Sequence, residues 1–108
     1  MGTISYDGWT VDFEDRLLAH LHVVIIRLLR NQESFAMSWL EALEVGDGRS
    51  SIWLHPEGDL HFRFSGSRVP QIDAEWIQRM TESARSSQGL IVTAEDGRLA
   101  RSTGTRHV

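Results

Sequence analysis

Residues 12–31 read DFEDRLLAHLHVVIIRLLRN, and the fold turns on whether this stretch is a strand or a helix. Its centre, Val23-Val24-Ile25-Ile26, is β-branched and suits a strand. The flanks decide otherwise. At about 100° per residue, Arg16, His20, Arg27 and Arg30 fall in one polar stripe, while Leu17, Leu18, Leu21, Val24, Ile25, Leu28 and Leu29 fill most of the remainder. No glycine or proline interrupts the run, so a helix is predicted. Asp12 is its expected N-cap, with Asp15 in the capping-box position. An apolar face this wide requires cover on more than one side.

Upstream, TISY-DG-WTVDF alternates apolar and polar residues on both sides of Asp7-Gly8, a favoured type I′ hairpin turn. Downstream, residues 34–40 (SFAMSWL) form a third strand. Residues 50–55 (SSIWLH) and 60–64 (LHFRF) are predicted to pair as a second hairpin across Pro56-Glu57-Gly58-Asp59, with His55 opposite His61. Asp73 is a second N-cap, Ile72 and Ile77 hold hydrophobic-staple positions, and Trp76, Ile77, Met80 and Ala84 give a narrower apolar stripe. Gly89 is the expected C′ residue, and residues 90–93 form a last short strand. The order is therefore ββαβ twice. The predicted fold is α+β: one mixed or mainly antiparallel curved sheet with two helices packed on it. Residues 1–96 form its single domain and residues 97–108 a flexible basic tail. Large apolar groups on the second sheet face, notably Trp53, call for strong curling or dimerisation.

Composition removes several functions. All 11 basic residues of the 108 are arginine, and neither lysine nor cysteine occurs. Schiff bases, the P-loop lysine and lysyl-nucleotide intermediates are excluded, with thiolate catalysis, disulfides and cysteine-bound zinc. The longest apolar run, residues 23–26, is far too short for a membrane span, and the acidic N-terminal region offers no basic signal segment. A cytoplasmic location is expected, with a radius of gyration of about 13 Å for a compact monomer. Residues 1–96 carry a net charge of -7, and residues 97–108 carry three arginines and no acid. An acidic body is a poor field for nucleic acid.

Candidate chemistry is sparse. His20 and His22 are two residues apart on a helix and do not face each other. His20 is expected in solvent on the arginine stripe, and His22 as a structural histidine on the apolar side. A His55/His61 pair with Glu57 or Asp59 is a metal-site pattern, set against the ordinary polar pairing of an exposed hairpin face. Gly46-Asp47-Gly48 lacks the lysine and context of a P-loop. Ser65-Gly66-Ser67 is no nucleophile elbow. No catalytic residue, cofactor or metal is therefore assigned. Arg16, Arg27, Arg30, Arg63 and Arg68 are candidate nucleic-acid or anion contacts, and Leu28, Leu29, Trp39 and Trp53 candidate interface residues.

Three segments carry a family resemblance: LLAHLHVVIIRLLRNQESFAMSW (17–39), RSSIWLHPEGDLHFRFSG (49–66) and RVPQIDAEWIQRMTESARSSQGLIV (68–92). Together they resemble a family of small actinobacterial proteins of uncharacterised role, many bearing the name ATP-dependent DNA ligase. The resemblance spans roughly residues 1–95, and arginine-only basicity suits a high-GC genome. Ligases of that kind adenylate the lysine of a KxDG motif, and this chain has no lysine. The ligase name therefore implies no activity here. The reading is a non-enzymatic interaction or accessory domain, self-associating as a homodimer or binding a protein partner. A nucleic-acid accessory module linked to DNA ligation or repair is the first alternative, and a small metal-dependent enzyme the second.

Overall fold

The computed structural model describes residues 1–108 except Val45, Asp47 and Val108, so the centre of the Gly46–Gly48 segment lies outside the described residues. Strands β1 (Gly2–Tyr6) and β2 (Trp9–Phe13) are joined by Asp7 and Gly8, at φ 49° and 88°. Two successive positive φ values are what the type I′ turn needs, and Tyr6 pairs directly with Trp9. Then follow α1 (Asp15–Arg30), β3 (Phe35–Leu40), β4 (Arg49–Leu54), β5 (Leu60–Arg63), α2 (Ala74–Ala84), β6 (Leu90–Ile91) and β7 (Gly104–His107). The class is α+β, with ββαβ twice and one further strand.

The strands form two sheets, not one. The first is antiparallel throughout, in the order β5-β1-β2-β7. The second, β4-β3-β6, is mixed: β4 runs antiparallel to β3 and β6 parallel to it. The expected β4–β5 hairpin is therefore corrected. Ile52 and Leu54 pair with Met37 and Phe35, whereas Leu60 and Phe62 pair with Tyr6 and Ile4. The cause sits at the turn. The Tyr6 hydroxyl accepts the His55 N–H at 3.3 Å, and a Cβ on Gly58 would overlap the Tyr6 ring. With that ring wedged beneath residues 55–58, the two strands part into different sheets.

Residues 97–108, expected as a flexible tail, carry β7 and several backbone bonds to the rest of the chain. The Ala100 carbonyl accepts the Leu40 N–H, the Leu40 carbonyl accepts the Ser102 N–H, and the Asp12 carbonyl accepts the Thr103 N–H at 2.7 Å. The chain thus crosses from the end of β3 to the edge of β2, where β7 pairs residue by residue. Arg106 grips Asp12 through both terminal guanidinium nitrogens, at 2.7 and 3.1 Å. Composition marked this segment as soluble but could not show that β2 needed a partner.

Helix α1 begins later than expected. Its N-cap is Glu14, with no side-chain cap bond, because Asp12 belongs to β2 and takes Thr3 Oγ1 and Arg106 instead. Asp15 turns outward to accept the N–H groups of Ser65 and Gly66, tethering the chain after β5. By contrast, α2 starts where predicted: Asp73 Oδ1 accepts from the Glu75 and Trp76 N–H groups. Gly89 is not the C′ residue, since α2 ends at the Arg85 cap. It is instead the point where the backbone passes Ala36 O, too close for a Cβ, at φ +78°.

The core draws on both sheets and both helices, with Phe13, Leu18, Leu21, Ile25, Leu28, Met37, Leu54 and Met80 fully buried. Leu28 and Trp39 lie inside it, at 1% and 2% exposure, so neither is a docking residue as anticipated. The wide apolar face of α1 is covered by the protein's own sheets and by α2. Leu29 is half-buried against the same core.

Candidate functional site

Helix α1 exchanges the expected roles of its two histidines. His20, expected in solvent, is fully buried. Its Nδ1–H donates to Arg16 O at 2.7 Å and its Nε2 accepts the Asp73 N–H at 2.8 Å, which defines the neutral Nδ1–H tautomer. The imidazole stacks on Trp76 at 4.2 Å. His22, expected as a structural group, is solvent-exposed and stands edge-on to Phe62 and Phe64 at 4.8 and 6.0 Å. The helical wheel grouped the residues correctly. It could not show that the start of α2 lies across the sector holding Arg16 and His20.

The arginines divide by partner. Arg16 makes a two-nitrogen ion pair with Glu95 and lies 5.5 Å from the Trp76 ring centre. Arg79 donates to Glu95 O, Arg85 pairs with Glu33, Arg98 with Asp96, and Arg101 donates to Glu41 O. Arg27, Arg30, Arg63 and Arg68 have no ion-pair partner among the described residues. A cleft of about 700 Å³ between α1, α2 and residues 94–103 is lined by Arg16, Glu95, Asp96 and Arg98, whose charges are already matched in pairs.

Of the five arginines singled out in the sequence, three come together. Arg27 and Arg30 border a cleft of about 260 Å³ with His22, Val23 and Ile26. Arg68 borders a second, of about 310 Å³, where His22 and Val23 meet Phe64, Val69 and Ile72. Arg63 lies apart, beside Met1 and Thr3, because alternate residues of β5 face opposite ways. Arg16 is spent on Glu95. The apolar lining of this groove escaped the sequence reading, although Val23 and Ile26 stand among the polar positions of the wheel and were its available signal.

A separate surface surrounds Trp53, which is 59% exposed on β4. β4 is the outer strand of its sheet and pairs only with β3 among the described residues. Beside Trp53 a cleft of about 620 Å³ is bounded by Phe35, Ala36, Arg85 and Gly89, with Leu28 at its floor. Of the anticipated interface residues, Trp53 alone is freely available.

The paired histidines of the metal reading are not brought together. His55 follows β4 and packs edge-on to Tyr6 at 6.0 Å, while His61 sits on β5 opposite Ser5. No group of three or more His, Asp or Glu residues suited to a metal ion occurs among the described residues. No helix among them is long and apolar enough to cross a membrane.

Four carboxylates are tuned by structure. Asp12 is held below the ordinary carboxylate range, chiefly by Arg106 and then by the Thr3 hydroxyl, against an opposing burial effect. The N–H groups of Gly66 and Ser65 lower Asp15. Arg85, then Asn31, lowers Glu33. At Asp73 the shift is also downward, with Glu95 as its first cause. For Asp12, Asp15 and Glu33 a structural partner accounts for the shift.

A family model described as a domain of unknown function (DUF7882) matches residues 1–95. No curated protein and no solved structure matches the chain significantly.

Proposed function

Because the chain belongs to the DUF7882 family, whose description assigns no activity, we propose its role from its surface: a non-enzymatic, cytoplasmic interaction domain that self-associates through β4. The observation carrying this reading is Trp53, a large aromatic 59% exposed on a strand whose outer edge pairs with no other strand among the described residues. An open edge is a template for another strand, and natural proteins usually blunt it or use it. Two β4 strands meeting antiparallel about a two-fold axis would join their sheets and bury both Trp53 rings, an isologous contact. Tryptophan is also the residue most enriched among binding hot spots.

The alternatives have less support. A nucleic-acid module needs a broad basic footprint, whereas Arg16, Arg85 and Arg106 are neutralised by acids and the chain has a net charge of -4. An actinobacterial origin fits the arginine-only composition, and the ligase name borne by similar proteins fits no chemistry of a lysine-free chain. The metal-enzyme reading has less support because His55 lies in the loop after β4, packed on Tyr6, while His61 lies on β5 opposite Ser5. Amide exchange tests the proposal: protection at residues 49–54 rises with protein concentration if β4 pairs between copies. Protection independent of concentration counts against it.

A further inference from the structure

We infer that the groove between α1 and residues 64–72 docks an acidic, amphipathic segment of a partner protein. This surface is distinct from the β4 edge. Its two clefts, about 310 and 260 Å³, share His22 and Val23 and so adjoin along α1. The floor is aliphatic and aromatic, and Val69 and Ile72 at its border are 81% and 42% exposed. His22 is fixed as a wall by its edge-on contacts with Phe62 and Phe64.

Charge selects the occupant. The chain holds 15 acids against 11 arginines, yet Arg27, Arg30 and Arg68 at this groove have no ion-pair partner among the described residues. Unmatched cations beside an apolar floor are complementary to a ligand with apolar residues on one side and carboxylates at its margins. Arg27 and Arg30 are three residues apart, about 4.5 Å along the axis, which matches acids one helical turn apart on a docked helix. A lipid surface is disfavoured because most of the apolar lining, Ala19, Val23 and Phe64, is buried or half-buried within a depression. Nucleic acid is disfavoured because three cations on an acidic body would neutralise few phosphates.

The test is selection of a displayed library of random 16-residue peptides on the full chain. Enriched sequences are expected to combine several Asp or Glu residues with apolar residues at three- or four-residue spacing. Their amide-shift changes should fall on His22–Arg30 and residues 66–69. Binding should weaken at least tenfold in the Arg27→Glu/Arg30→Glu/Arg68→Glu protein, whose unfolding midpoint serves as the folding control. Val69→Asp alone should weaken it too, and serves if the triple variant does not fold. Failure to enrich, enrichment of neutral or basic sequences, or shifts elsewhere would overturn the proposal. So would tighter binding at these residues by a 16-nucleotide single strand or by phosphatidylserine vesicles.

Discussion

The imidazole Nε2 of His20 accepts the backbone N–H of Asp73 at 2.8 Å, and this bond ties α1 to the N-cap of α2. Both ring nitrogens are satisfied, and Trp76, three residues into the same junction, covers the ring face. The helix pair is thus registered by a polar group inside an apolar interface.

His20→Phe keeps a ring on Trp76 but leaves the Asp73 N–H without its acceptor. A buried donor left unpaired costs about 1–3 kcal/mol. Urea unfolding should show that loss as a lower midpoint with an unchanged slope. A midpoint equal to the wild type would mean that the bond does not hold the junction.

Acid should unfold the protein through its paired carboxylates. Asp12, Asp15 and Glu33 are all lowered by their partners: Arg106, the Gly66 and Ser65 N–H groups, and Arg85. For a depressed carboxylate the stabilisation is complete above the unfolded value and disappears as pH falls through the folded one. Stability should therefore hold to about pH 5 and drop below about pH 4. Asp12→Asn should flatten that acid limb, and a limb identical to the wild type would separate the Arg106–Asp12 pair from acid stability.

Truncation after Thr103 removes β7 and uncovers the edge of β2. The chain should lose about 2 kcal/mol or more from the severed ladder, and amides of Trp9–Phe13 should exchange faster. Unaltered stability and exchange would return this segment to the status of a dispensable tail.

Gly58→Ala places a methyl group where the Tyr6 ring lies. The ring must shift, drawing its hydroxyl from the His55 N–H and loosening the corner that separates β4 from β5. A loss of about 1–3 kcal/mol is expected from overpacking. Tyr6→Phe/Gly58→Ala should be no less stable than Gly58→Ala if the hydroxyl bond is already broken in the single variant.

Local signals in the sequence were legible where the cause is local. Asp7-Gly8 specifies its turn by positive φ, Asp73 caps α2 through its own side chain, and the period of residues 16–30 specifies a helix. What escaped depends on partners distant in the chain. Nothing within residues 50–64 reveals that Tyr6 will occupy the corner, and nothing near His20 reveals that Asp73 will arrive there. Periodicity shows which residues share a face, not which face is covered, so His20 and His22 changed places. The groove arginines were legible as charges, but their apolar floor was not, because Phe64 and Val69 come from another segment.

The most direct test of the self-association proposal is the molar mass in solution, by light scattering at tens of micromolar. The expected result is twice the 12.3 kDa chain mass, reverting to 12.3 kDa in Trp53→Asp without loss of folded structure. A wild-type mass of 12.3 kDa across that range would contradict it.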